Sequence, residues 1–359
     1  MKIINKFFHF KILYIFFVFL SLIIFFLSTV KSEAKAFEIN DIDIATPFEM
    51  NFDKNEIIEK GFKKAFFELI SLIVSSQEQN KIKEIKLNEI KGMVESFSIK
   101  EEKFIDEIYY VNLGVTFNRK KIFNYLEKKN IFPSIPKRKK ILFIPIIIDE
   151  NKKDLLIFSN NKIFDEWNKN IKRSHLIDYI LPSEDLEDLK TIKEKFDFIE
   201  QYDFHEITKK YFLQDSIVAL IFKNKNGLRV LSRINIKDQL ILRNKSFKGV
   251  ALNSEKQVVI LINELKKTYE DYLKNTNRIN TSIKLSLNIK VSNENNYIIF
   301  AFEELLNETD SISNYNIMKF DKNFTYYRII YNGTSNIFLK NMKEKNYEFD
   351  TQNKIWILK

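Results

Sequence analysis

At 359 residues the chain has room for two or three domains of about 100 to 200 residues each, and 45% hydrophobic against 30% charged residues is a folded rather than a disordered balance. It contains no cysteine, which excludes disulfides, thiolate metal sites, a cysteine nucleophile and lipid attachment through an N-terminal cysteine. The net charge of +10 is spread among nearly as many acidic as basic residues, without the clustered basic stripe that neutralising a phosphate backbone requires, so nucleic acid is not an expected partner.

Lys2, Lys6 and Lys11 precede nineteen uncharged residues, Ile12 to Val30. At about 1.5 Å per residue a helix of that length spans roughly 30 Å, the thickness of a bilayer core. The stretch is apolar all round, unlike a helix with one face in water. Lysines in front of it place the N-terminus in the cytoplasm and the body outside. Residues 1–36 are therefore read as a signal peptide or a transmembrane anchor, and the protein as periplasmic. Ala34-Lys35-Ala36 has the small-x-small pattern of a cleavage site, but the apolar run exceeds the about 7 to 15 residues of a usual signal peptide. Cleavage near Ala36 gives a soluble periplasmic protein; retention makes the inner membrane a partner through residues 12–30.

Changes of periodicity divide the remainder into three units. In the first, 37–135, an extended "FEINDIDI" leads to Asp53, placed as a cap three residues before Glu56. Ile58, Phe62, Phe66, Leu69 and Ile73 then follow at helical spacing. A polar helix is expected near 82–97, then a strand at "IYYVNLGVTF" and a short helix capped by Asn118. The second unit, 136–276, opens on the basic run "KRKK" at 137–140, a solvated strand entrance or a membrane-surface contact. "ILFIPIII" follows, with the unbroken apolarity of a strand buried on both faces. A helix is expected at "IFDEWNKN", a strand at "HLIDYIL" and an acidic helix start at "EDLEDL" after Pro182-Ser183. Two strands then flank an Asn226-Gly227 turn, and a closing helix carries Val258, Ile262, Leu265, Tyr269 and Leu273 on one side.

The third unit, 281–359, begins with the strict alternation of Ile283, Leu285, Leu287, Ile289 and Val291. Asn293 precedes a helix at "YIIFAFEELL", two strands surround "YNIMKF" and "TYYRIIY", Gly333 and Thr334 open a second helix, and "KIWIL" ends the chain. The order β-α-β-β-α-β is that of a ferredoxin-like sandwich, a fold that hosts many unrelated functions. The expected class is thus α+β or α/β, in two or three small mixed units behind the N-terminal helix.

The segments "GFKKAFFELISLI" with Ala65 and Phe66, "VTFNRKKIFNYLEKKNI" leading to "ILFIPIII", Trp167, "YILPSEDLEDL", "SIVALIFKNKNGLRV" and "LSLNIKVSNENNY" occur in an order that carries a resemblance. The body resembles an uncharacterised family of proteobacterial envelope proteins, catalogued as domain of unknown function two thousand and sixty-six. Many Gly, Pro and Arg positions of that family are Asn, Lys and Ile here. The resemblance implies an exported proteobacterial protein; it brings no activity, cofactor or catalytic residue.

No catalytic, cofactor-binding or metal-ligating residue is assigned from sequence. His9 lies on the approach to the apolar run, and His175 and His205 lack a histidine partner at helical ligand spacing. Glu184, Asp185, Glu187 and Asp188 are carboxylates of a first helical turn, where they complement the helix dipole; the alternative is a divalent-cation site. Asp149 falls at the carboxyl end of a buried strand, where open sheets place ligands, though an aspartate entering "ENKKD" is also turn chemistry. Phosphate-binding Gly-rich loops and Gly-x-Ser-x-Gly motifs are missing, and Trp167 and Trp356 sit in core-like contexts. The leading expectation is a non-enzymatic binding or assembly module of the cell envelope with an envelope protein as partner. The alternative is an envelope hydrolase or transferase using a dispersed carboxylate pair, Asp149 and Glu184. A third is a structural domain of a larger complex, marked by an exposed apolar patch.

Overall fold

Three sheets organise the described residues, which in this computed structural model are 37–359 apart from 170, 226 and 251. The predicted membrane segment at 12–30, the cleavage site at Ala36 and the first half of the Asn226-Gly227 turn lie outside them. Among the described residues no helix is long and apolar enough to cross a membrane. The class is mixed α and β, and residues 39–359 make one compact unit.

The first sheet has strand order β1-β3-β2, from β1 (Glu38–Pro47), β2 (Val94–Ile105) and β3 (Ile108–Phe117). The helix α1 (Lys54–Ile73) starts at Asp53, whose carboxylate accepts the Asn55 N–H at 2.8 Å. Phe62, Phe66, Leu69 and Ile73 are buried at the expected spacing, while Ile58 is half-buried. The short α2 (Ser76–Gln79) and α3 (Leu87–Met93) follow. The helix expected over 82–97 therefore stops at Met93, and residues from Val94 onward form β2 instead. Its sequence, VESFSIKEEKFI, is exposed almost throughout because β2 lies at the sheet edge, where charges guard against unwanted pairing and mimic a solvated helix face. After β3, Asn118 caps α4 (Arg119–Lys128) by accepting the Lys121 N–H at 3.1 Å.

The second sheet runs β5-β4-β7-β8-β9, with β6 also paired to β4. Residues 141–149 of β4 (Lys139–Asp149) are all buried. Pro145 sits mid-strand without an N–H to give. The strand tolerates it because β6 (Ile177–Ile180) pairs only with Lys139 to Leu142 and β5 (Asp154–Leu156) only with Ile147 to Asp149, leaving 145 in the gap. Asn161, fully buried, fills that gap by donating to the Pro145 carbonyl at 3.0 Å. One face is covered by α5 (Lys162–Trp167) and α8 (Glu255–Thr276), on which Val258, Ile262, Leu265, Tyr269 and Leu273 are all buried. Ile192 of α6 (Leu186–Glu194), Ile199, Phe204 and Ile207 of α7 (His205–Thr208) pack against the other.

The hairpin of β7 (Ser216–Asn224) and β8 (Gly227–Ile236) closes at Gly227. With φ +141° a Cβ there would lie 2.3 Å from the Phe247 carbonyl oxygen, so only glycine fits. Phe247 belongs to β9 (Gln239–Lys248), a third strand that the sequence reading does not contain. QLILRNKSFK is another charged, mostly exposed edge strand, and its weak alternation hides it.

The third sheet has order β11-β12-β10-β14-β13. Its elements are β10 (Lys284–Ser292), α9 (Asn296–Glu308), β11 (Ile312–Phe320), β12 (Phe324–Asn332), α10 (Ser335–Lys343), β13 (Phe349–Asp350) and β14 (Trp356–Leu358). Leu287, Ile289 and Val291 face the core, but Ile283 precedes the strand and is exposed. The cap of α9 is Asn295, accepting Tyr297 N–H at 2.9 Å, and Asn293 precedes the helix as expected. The chain passes along β13 before turning back, so β14 runs parallel to β10.

Backbone and side chains join the parts. Ile135 N–H donates to Asn277 O at 3.1 Å and Ile279 N–H to Pro133 O at 2.8 Å, while Ser134 N–H reaches Ile73 O at 2.7 Å. Arg119 of α4 pairs with Asp310 at 3.1 Å and Glu127 with Lys284 at 3.2 Å, tying the first part to the third.

Candidate functional site

The two carboxylates suggested as an acid pair serve different local tasks. Asp149 Oδ1 accepts the Asn151 and Lys152 amides, each at 3.1 Å, and Oδ2 accepts Lys223 Nζ at 3.1 Å. Burial alone would raise its pKa, but the Lys223 ammonium and these amides outweigh it and hold the group below the usual carboxylate value. Glu184 accepts the Ser159 amide at 3.1 Å and is exposed. Asp185 caps α6, accepting Glu187 N–H at 2.7 Å. A cation does meet this acidic turn, and it is Lys210: Nζ lies 2.7 Å from Asp188, 3.3 Å from Asp185 and 3.9 Å from Glu187. The hydrogen bond from Asp188 and then that from Asp185 raise the lysine pKa. Among the described residues no group of three or more His, Asp or Glu is arranged to hold a metal ion. In "KRKK", Lys139 pairs with Asp215 and Arg138 donates to Arg173 O at 3.2 Å.

Trp167 is fully buried and stacks on Phe143 with centroids 3.7 Å apart, and Trp356 packs on the core of the third sheet. Around Trp167 runs a set of charges that sequence reasoning missed. Lys266, Glu270 and Lys274 recur every fourth residue along α8 and are 1%, 4% and 5% exposed. Lys266 Nζ donates to Trp167 O at 2.5 Å. The Glu270 carboxylate accepts Leu176 N–H at 2.8 Å and Ile177 N–H at 3.0 Å. Lys274 Nζ donates to Ser71 O at 2.6 Å, near the end of α1, and Asp271 accepts Ser76 N–H at 2.7 Å. Burial lowers the Lys266 pKa to about 8 against the opposing pull of Glu270, and burial raises that of Glu270. His175, half-buried beside this seam, accepts Lys172 N–H at 3.4 Å; burial, then Lys266, Lys172 and Lys274, lower its pKa to about 4. The seam sits in packed interior and acts as a lock between α1, α5, β6 and α8. The signal was present: 266, 270 and 274 continue the apolar step that includes Ile262.

No protein-family model and no curated protein matches this chain. Function must therefore be argued from two open features.

The first is a cavity of about 230 Å³ lined by Asp203, His205, Thr208, Ser216, Val218, Arg233, Asn235 and Leu240. His205 is thus a sequence candidate that reaches a cavity. The second is a set of exposed apolar side chains on two neighbouring elements of the third part, α9 and β11. Asn293 N–H donates to Asn323 O and its amide nitrogen to Asp321 O, both at 2.8 Å, which sets the start of α9 beside the turn after β11. Tyr297, Ile298 and Phe300 of α9 and Ile317, Met318 and Phe320 of β11 are all exposed there.

Proposed function

We propose that the chain is an exported cell-envelope protein that binds an envelope protein partner through α9 and β11 of its third part. The observation that carries this reading is the exposure of large apolar side chains on both α9 and β11, since apolar surface left open to water marks interaction sites where it is continuous. Export and periplasmic placement rest on the apolar run at 12–30 and the lysines before it. Membership of the envelope-protein family that the motifs resemble belongs to the same proposal. So does the ferredoxin-like reading of 281–359, supported by the order β11-β12-β10-β14 and departing from it where β14 runs parallel to β10. The hydrolase or transferase reading gains no support from Asp149 and Glu184, which are engaged in separate turns.

Photo-crosslinking in intact cells from a reactive amino acid at Phe320 tests the proposal. The expected result is a discrete adduct with one envelope protein that disappears in the Phe300→Asp variant. No adduct, or adducts unchanged by Phe300→Asp, would overturn it. The mass of the mature protein decides between cleavage near Ala36 and an intact anchor.

A further inference from the structure

The second sheet carries a cavity whose polar lining is largely unspent. Its floor is set by register: Ser216 of β7 lies opposite Asn235 of β8, which lies opposite Leu240 of β9, and in the next row Val218 lies opposite Arg233. Paired residues share a face, so these side chains project together toward α7. The roof comes from Asp203, His205 and Thr208. Asp203 Oδ1 holds the roof's first turn by accepting His205 N–H at 3.0 Å, and Thr208 Oγ1 donates to His205 O at 3.2 Å. Phe204 between them is fully buried and takes a left-handed backbone at φ +59°, a costly conformation for a bulky residue. It anchors the roof to the core and turns His205 over the sheet.

Arg233 Nη1 donates to the Glu200 carbonyl at 2.9 Å, a neutral partner, so the guanidinium keeps its charge and its remaining N–H groups. Ser216 Oγ, the Asn235 amide and the His205 ring have no hydrogen-bond partner among the described residues. A fixed cation, a hydroxyl, an amide and an imidazole around one space are the groups that hold an oxyanion, and the Arg fork matches a planar carboxylate. Val218 and Leu240 add an apolar wall. Asp203, also in the lining, repels a dianion about twice as strongly as a monoanion and so favours a monocarboxylate over dianionic phosphate. The volume of about 230 Å³ falls below the about 300 Å³ where clefts for drug-sized molecules begin, so a small ligand of a few heavy atoms is the fitting size.

We propose that this cavity binds a small monocarboxylate with a short apolar body, its carboxylate on Arg233 with His205, Ser216 and Asn235 around it and its alkyl end on Val218 and Leu240. The site lies on the second sheet and stands independently of the partner surface on the third. Equilibrium dialysis of the purified full-length chain against radiolabelled butyrate tests it. Saturable binding of one butyrate per chain is expected, with Kd on the order of 1 mM for so few atoms. Propionate should displace it better than inorganic phosphate at matched ionic strength, and Arg233→Gln should weaken it tenfold or more. Leu240→Trp should also abolish binding by filling the space; Leu240 is 55% exposed on an edge strand, so this variant keeps the fold and decides the matter should Arg233→Gln fail to fold. Absence of saturable butyrate binding, stronger displacement by phosphate than by propionate, or unchanged binding by Leu240→Trp would each overturn the proposal.

Discussion

Replacing Glu270 with leucine isolates the lock on α8. The carboxylate accepts two amides, from Leu176 at 2.8 Å and Ile177 at 3.0 Å, and leucine would leave both N–H groups buried without an acceptor. Each such group costs about 1–3 kcal/mol. The substitution also removes the negative charge that opposes the burial of Lys266 and Lys274, and losing one member of a buried charged set costs about 3–5 kcal/mol. These two costs overlap and the added apolar burial of leucine offsets part of them, so the net destabilisation should be about 4 kcal/mol. Glu270→Gln keeps one accepting oxygen and should cost about half as much. Glu264→Leu is the control on the same helix: it breaks only the exposed Lys245 pair at 3.0 Å and should cost less than about 1 kcal/mol. Urea unfolding of the full-length protein, followed by far-UV circular dichroism and tryptophan fluorescence, measures all three, since the Trp167 carbonyl is bonded to Lys266. A Glu270→Leu midpoint no lower than that of Glu264→Leu would refute the reasoning.

Two further outcomes follow from particular residues. His175 titrates near 4 in the folded protein against a usual 6.5, so the folded state holds this proton more weakly than the unfolded chain. Its contribution to stability should be complete above pH 6.5 and lost as pH falls toward 4, by about 1 kcal/mol after solvent screening. Thermal midpoints across that window should therefore drop less in His175→Gln, and equal slopes would count against the assignment. Gly227→Ala places a methyl 2.3 Å from the Phe247 carbonyl at φ +141° and should cost about 2–4 kcal/mol as β8 and β9 part; a calorimetric scan showing a change below about 0.5 kcal/mol would contradict the geometry.

What was legible in the sequence followed from burial on a simple period. The unbroken "ILFIPIII" of β4, buried on both faces, the hairpin signal at Gly227 and the buried stripe from Val258 to Leu273 each lie where expected. The edge strands β2 and β9 were hidden for the opposite reason: an edge keeps its charges outward, and Lys and Glu in VESFSIKEEKFI serve a helix surface equally well. Lys266, Glu270 and Lys274 were hidden because a charge at helical spacing reads as solvent-facing, and only the fold brings 71, 167 and 176 against it. The cavity was invisible for a related reason. His205, Ser216, Arg233 and Leu240 share no periodicity; strand register brings the last three together and the turn at Phe204 sets His205 over them.

The antiparallel backbones at 133–135 and 277–279 fasten the first part of the chain to the third. The stretch that leaves the first sheet and the stretch that enters the third are hydrogen-bonded to each other through Ile135–Asn277 and Ile279–Pro133, and Ser134 is fastened to the end of α1. Together with the Arg119–Asp310 and Lys284–Glu127 pairs they form a common joint rather than two hinges. Separating the first part from the third therefore requires these backbone bonds and both ion pairs to break.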